Sequence, residues 1–220
     1  MNPLLLSLAL LSAAQASPAV TVDLFSSATE PNGVPKDWKF LTFRKSSNST
    51  KYSVDHEGED YFVKAVSAAG GAGILKHVAL KVQDHPILTW RWKVSNVLEK
   101  ADVRKKSGDD FPARVWVAFY SDDEKMGVFE ALKFKAAKIK FGDSLPTSVL
   151  MYVWDNKNAV GKVYDNAFNH KAKMVIVESG PKKAGSWVRE RRNVYEDYKN
   201  FIGGEPPETL FVAVMTDTDN

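Results

Sequence analysis

The sequence predicts a β-rich sandwich with two helices, and three observations lead there. From Pro18 onward, short apolar runs alternate with turn-forming residues, the punctuation of an all-β chain. Four later runs, at 115–120, 149–154, 174–177 and 210–215, are apolar on both faces, so each belongs centrally in a sheet covered on both sides. Helical periodicity is confined to 129–139 and 186–202. The alternative is an α/β mixed sheet with helices on its faces.

Taken in order, the chain opens on an apolar run, Leu4 to Leu11, followed by Ala14-Gln15-Ala16, small residues of the kind a signal peptidase reads. Residues 1–16 are therefore expected to be a secretory signal and 17–220 a single domain. Strands are expected at 20–25, 38–43, 51–54 and 61–65, with Glu57-Gly58-Glu59-Asp60 as a hairpin turn between the last two. Ser67 to Gly73 reads as a loop, followed by strands at 74–82 and 87–94. The helix at 186–202 gathers Val188, Val194, Tyr195, Tyr198, Phe201 and Ile202 on one stripe, and Gly203-Gly204 ends it. The segment 129–139 is more ambiguous, because Leu132, Phe134 and Ala136 also fit a strand's alternation.

The chain has 220 residues, enough for one domain burying about 70% of its unfolded surface. It has no cysteine, which excludes disulfides, thiolate catalysis and cysteine-bound metals. A net charge of only +3, spread along the chain, argues against nucleic acid as a partner. No stretch of the mature chain is long and apolar enough for a transmembrane helix.

Six segments in order resemble one family. They are residues 88–94 (Leu-Thr-Trp-Arg-Trp-Lys-Val), 108–115 (Gly-Asp-Asp-Phe-Pro-Ala-Arg-Val) and Tyr152-Val153-Trp154. Val177-Glu178-Ser179-Gly180 follows, then Glu190-Arg191-Arg192-Asn193 with Asp197-Tyr198, and finally residues 215–220 (Met-Thr-Asp-Thr-Asp-Asn). Together they resemble the bacterial domain-of-unknown-function family 3047, exported proteins without an established activity. The resemblance implies a jelly-roll, galactose-binding-like sandwich and a periplasmic or secreted location. Members of that family continue beyond the terminal Thr-Asp-Thr-Asp-Asn segment, so a closing C-terminal strand is expected to be missing, leaving one sheet edge unpaired.

Candidate chemistry concentrates on acidic residues at strand ends. Asp155, Glu178 and Asp217 each stand where a covered strand stops. In a parallel sheet they would share a rim, and in an antiparallel one they would divide between opposite rims. Asp109 and Asp110, with Arg114 as counter-charge, could hydrogen-bond a ligand. The plainer alternative pairs them with Arg104, Lys105 or Lys106 in an exposed loop. Glu178 with Asp109, Asp110 or Asp217 could form the carboxylate pair of a glycoside hydrolase. Asp217 and Asp219 have the alternate spacing of half a calcium loop, which makes Ca²⁺ the one cofactor to consider. Arg191 and Arg192, expected on the helix, could clamp an anionic group. Trp92, Trp116 and Trp154 could stack on sugar rings or pack in the core.

The four histidines are isolated, and no Gly-x-Ser-x-Gly elbow or phosphate loop occurs. The expected ligand set is Asp109, Asp110, Arg114, Trp154, Glu178 and Arg191, with Asp109, Glu178 and Asp217 as the carboxylates a catalytic reading would use. The function expected is a non-catalytic binding domain for a carbohydrate or other small ligand. The alternative is a carboxylate-dependent hydrolase of a glycan or cell-wall polymer.

Overall fold

A computed structural model describes residues 19–26, 29, 33–41, 50–120 and 148–219. The expected signal, the periodic segment at 129–139 and Asn220 lie outside the described residues. The strands are β1 (Lys39–Leu41), β2 (Lys51–Glu57), β3 (Asp60–Val66), β4 (Gly71–Val78), β5 (Ile87–Trp92) and β6 (Phe111–Tyr120). They continue as β7 (Ser148–Asp155), β8 (Val163–Asp165), β9 (Ala172–Ser179), β10 (Val188–Asn193) and β11 (Thr209–Asp217). Among the described residues there is one α-helix, α1 (Val194–Phe201).

The main sheet runs β1-β4-β11-β6-β7-β9-β8. It is mixed: β7 and β9 are parallel, and every other pair is antiparallel. Two hairpins, β2–β3 and β5–β10, stand apart from it in backbone pairing. The result is a β-sandwich-like domain with one described helix rather than two.

The four doubly apolar runs became β6, β7, β9 and β11, the four adjacent inner strands from β11 to β9. Their pleat sends Val115, Val117, Phe119, Leu150, Tyr152, Trp154, Val175 and Val212 to one face, where Trp92, Val94, Val194 and Tyr198 cover them. The opposite face carries Phe111, Ala118, Val149, Met151, Val153, Met174 and Ile176, packed with Val103. A third cluster, Val34, Trp38, Tyr52, Ala72 and Ile74, anchors β2 to β4.

Two expectations need correction. Residues 20–25 form no strand. Val22 instead packs as a plug against two of the clusters, while Asp23 accepts the Trp38 indole N–H at 2.9 Å and the Lys76 ammonium at 2.7 Å. The predicted helix at 186–202 is half strand. Residues 188–193 pair in register with β5, and backbone pairing outweighs the weak helix preference of Glu and Arg. The helix begins only after Asn193, whose side chain accepts from the Glu196 N–H at 3.1 Å as an N-cap. β11 is inserted between β4 and β6, and the described edges of the sheet are β1 and β8.

The inner strands make a direct stability prediction. Leu150 is fully buried in the larger cluster, so Leu150→Ala should lower the unfolding free energy by about 2–5 kcal/mol in chemical denaturation.

Candidate functional site

Strand direction places the acids. β11 is antiparallel to β6, β6 to β7, and β7 is parallel to β9, so β7, β9 and β11 all point the same way. Asp155, Glu178 and Asp217 therefore share one rim, and Asp109-Asp110 reaches it from the start of β6. Sharing a rim is not convergence. Asp217 and Glu178 are three strand spacings apart, about 14 Å.

They also face opposite sides. The Arg114 guanidinium lies over Phe111 and Trp116, on the face with the smaller cluster, and donates to Asp217 at 2.8 Å. Glu178 belongs to the face covered by β5 and β10. There it accepts from the Lys183 ammonium and the Ser179 N–H, and it lies beside Glu190.

Arg114 is the centre of the site that does form. Its side chain is 1% exposed, and it bridges Asp109 at 3.2 Å and Asp217 at 2.8 Å, residues more than a hundred positions apart. The geometry depends on a bulge. Met215 pairs with Arg114 but Asp217 pairs with Phe111, so Pro112 and Ala113 stand against Thr216 alone. Pro112 has no N–H to contribute there, and its carbonyl accepts from the Thr216 hydroxyl at 3.0 Å. On the other side of β11, Gly71 faces Asp217, and a β-carbon there would overlap the carboxylate. The end of β11 is clipped by Thr218 N–H to Gly70 carbonyl, 3.0 Å, and by Ser67 to Thr218, 2.9 Å.

The loop before β6 is held just as firmly. Gly108 packs so closely on Asp102 that a β-carbon would meet its backbone nitrogen at 2.7 Å. Arg104 and Lys105 are taken by Asp102 rather than by the acidic doublet. The Arg104 contact, mainly through its hydrogen bonds, holds the Asp102 carboxyl far below the usual range. Asp110 is buried, and Asp109 also accepts from the Asn166 amide at 3.4 Å.

Asp110, Asp217 and Asp219 each bring a carboxylate oxygen within 4.8 Å of the others, a donor set that could hold a hard cation such as Ca²⁺. Burial, above all, and the negative Asp219, Asp110 and Asp109 push the Asp217 carboxyl up to about 6, although Arg114 pulls the other way. Among the described residues, buried Asp217 Oδ1 and Arg114 Nε have no hydrogen-bond partner.

The remaining candidates lie elsewhere. Trp154 is completely buried and donates its indole N–H to the Gly180 carbonyl at 3.1 Å, so it is core and offers no stacking surface. Trp92 is core as well, and Trp116 is half-buried beside Arg114. Arg191 is exposed on β10 rather than on a helix. Arg192, also on β10, is bidentate on Asp197, which in turn accepts the Tyr152 hydroxyl at 2.8 Å. Asp155 is used locally: one oxygen accepts from the Lys157 and Asn158 N–H groups and the Asn158 amide. Asn166 escaped notice in the sequence because a single asparagine in a turn carries no pattern.

The fold and site define a β-sandwich-like domain with a polar cluster built on a buried arginine at one rim. The chain belongs to the family described as "Protein of unknown function (DUF3047)", whose model matches residues 36–220. No curated protein matches the chain.

Two measurements check the cluster. Arg114→Met leaves the partly buried Asp109 and Asp217 without their cation and should cost about 3–5 kcal/mol in denaturant unfolding. Asp217 binds its proton more tightly folded than unfolded, so its contribution is complete below pH 3.8 and lost as the pH rises through about 6. Asp217→Asn should remove that part of the slope when stability is measured from pH 4 to pH 7.

Proposed function

We propose that this protein is a non-catalytic binding domain that works outside the cytoplasm and holds an uncharged carbohydrate at the Arg114 rim. The observation that carries this reading is a cluster of carboxylates at one rim: Arg114 holds Asp109 and Asp217, Asn166 donates to Asp109, and Asp110 and Asp219 lie close to Asp217. Each sugar hydroxyl both donates and accepts. The carboxylates at this rim, among them Asp109 and Asp217 held in place by the buried Arg114, meet the donating half of that need. Hydrogen bonds to charged groups are the strong ones, and the carboxylates supply them here. The jelly-roll architecture that the family resemblance implies and the N-terminal signal expected from the sequence are consistent with this proposal.

A carboxylate-dependent hydrolase draws less support. Its pairing of Glu178 with an aspartate spans about three strand spacings and two faces. Asp109 and Asp217 do come together, but both carboxylates are engaged by Arg114.

The test is a panel of neutral oligosaccharides titrated into the folded protein, followed by amide chemical shifts. Binding that perturbs residues 108–114 and 216–219 and weakens at least ten-fold in Asp109→Ala is expected. A panel without a single binder, or one cleaved by the protein, would sink the proposal.

A further inference from the structure

The β5–β10 hairpin turns Leu88, Trp90, Trp92 and Val188 inward. By strand alternation its other face presents Thr89 and Arg91 on β5, and Arg189 and Arg191 on β10. Lys93 and Trp187 continue the two rows just beyond the paired residues. The register sets Arg189 directly opposite Arg91, and Arg191 opposite Thr89. Like charges directly opposite each other on a sheet face are destabilising.

Arg91 is offset by Asp60 at 3.0 Å and Lys93 by Glu57, and both cations stack on the Trp187 ring, 4.8 and 5.0 Å from its centre. The side chains of Arg189 and Arg191 are exposed and make no hydrogen bond or ion pair with the described residues. The row from Arg191 to Lys93 is about 14 Å long at strand spacing. It is only one hairpin wide, with the exposed acids Asp60 and Glu57 on its flank.

We infer that this face binds a linear acidic polysaccharide that carries carboxylates along its length. Planar guanidinium groups match carboxylates in paired hydrogen bonds, and the Thr89 hydroxyl beside Arg191 suits a sugar hydroxyl. A single polyanionic chain can follow so narrow a row. A flat anionic bilayer would meet the flanking acids as well. The stripe lies on the outer face of the hairpin, separate from the Arg114 rim, and does not depend on the function proposed there.

The test uses the full chain with alginate, phosphatidylglycerol vesicles and oligothymidylate as probes. Alginate should bind, and its affinity should fall at least ten-fold as salt screens the contact. Arg189→Thr with Arg191→Thr should weaken alginate binding ten-fold or more and leave the melting temperature unchanged or higher, because the Arg189–Arg91 repulsion is relieved. A purely structural pair would not separate binding from stability in this way. If the double variant loses its cooperative melt, Arg191→Thr alone, opposite neutral Thr89, is read by the same criterion. Asp217→Asn should bind alginate as the native chain does. Three results overturn the inference: no binding of alginate by the folded protein at low salt, undiminished binding by the arginine variants, or preference for vesicles or oligothymidylate.

Discussion

A guanidinium buried to 1% exposure must be matched by carboxylates, and Arg114 draws one from the loop before its own strand and the other from the end of the last strand. That requirement ties the loop before β6 to the last strand. It explains why β6 bulges at Pro112, why Gly71 faces Asp217, and why Thr218 is clipped to the turn before β4. The ion pairs are geometric pins as much as sources of stability. They fix where β11 ends, and β11 is the strand that joins β4 to β6.

The second constraint is coverage. Four strands apolar on both faces need packing on each side, and the sheet obtains one cover from the β5–β10 hairpin and α1. The β2–β3 hairpin joins that layer through side chains rather than backbone. Arg91–Asp60, Lys93–Glu57 and Trp187–Glu57 cross between the hairpins, and Phe62 packs edge-on against Trp187. With apolar residues occupying both faces, polar groups are driven to the rim and to the outer surfaces of the hairpins. Both binding proposals sit in those places.

The rim separates groups that its linear order would combine. Glu178 and Asp217 each end a strand pointing the same way, yet the pleat and the intervening β6 and β7 put them in different electrostatic neighbourhoods. Glu178 is neutralised by Lys183 and raises the Glu190 carboxyl, which burial has already pushed up. Asp217 answers to Arg114 and three aspartates. Two acidic centres of different character result, and neither contains the other's partner.

The sequence by itself determined the β-rich class, the family and the four inner strands. Alternation and doubly apolar runs are local signals that a covered sheet imposes on every residue. It also marked Asp109, Asp110, Arg114 and Asp217 as candidates and allowed Asp109 or Asp110 to meet Asp217, without fixing their distance or separating them from Glu178. The tertiary structure decided what depends on pairing across long separations. Residues 188–193 became strand because β5 was available to pair with them, although their side chains also suit a helix. Trp154 became core because its strand is third from an edge. The convergence of Asp109 with Asp217 rests on strand order and on one bulge, properties set between segments and carried by no single one of them.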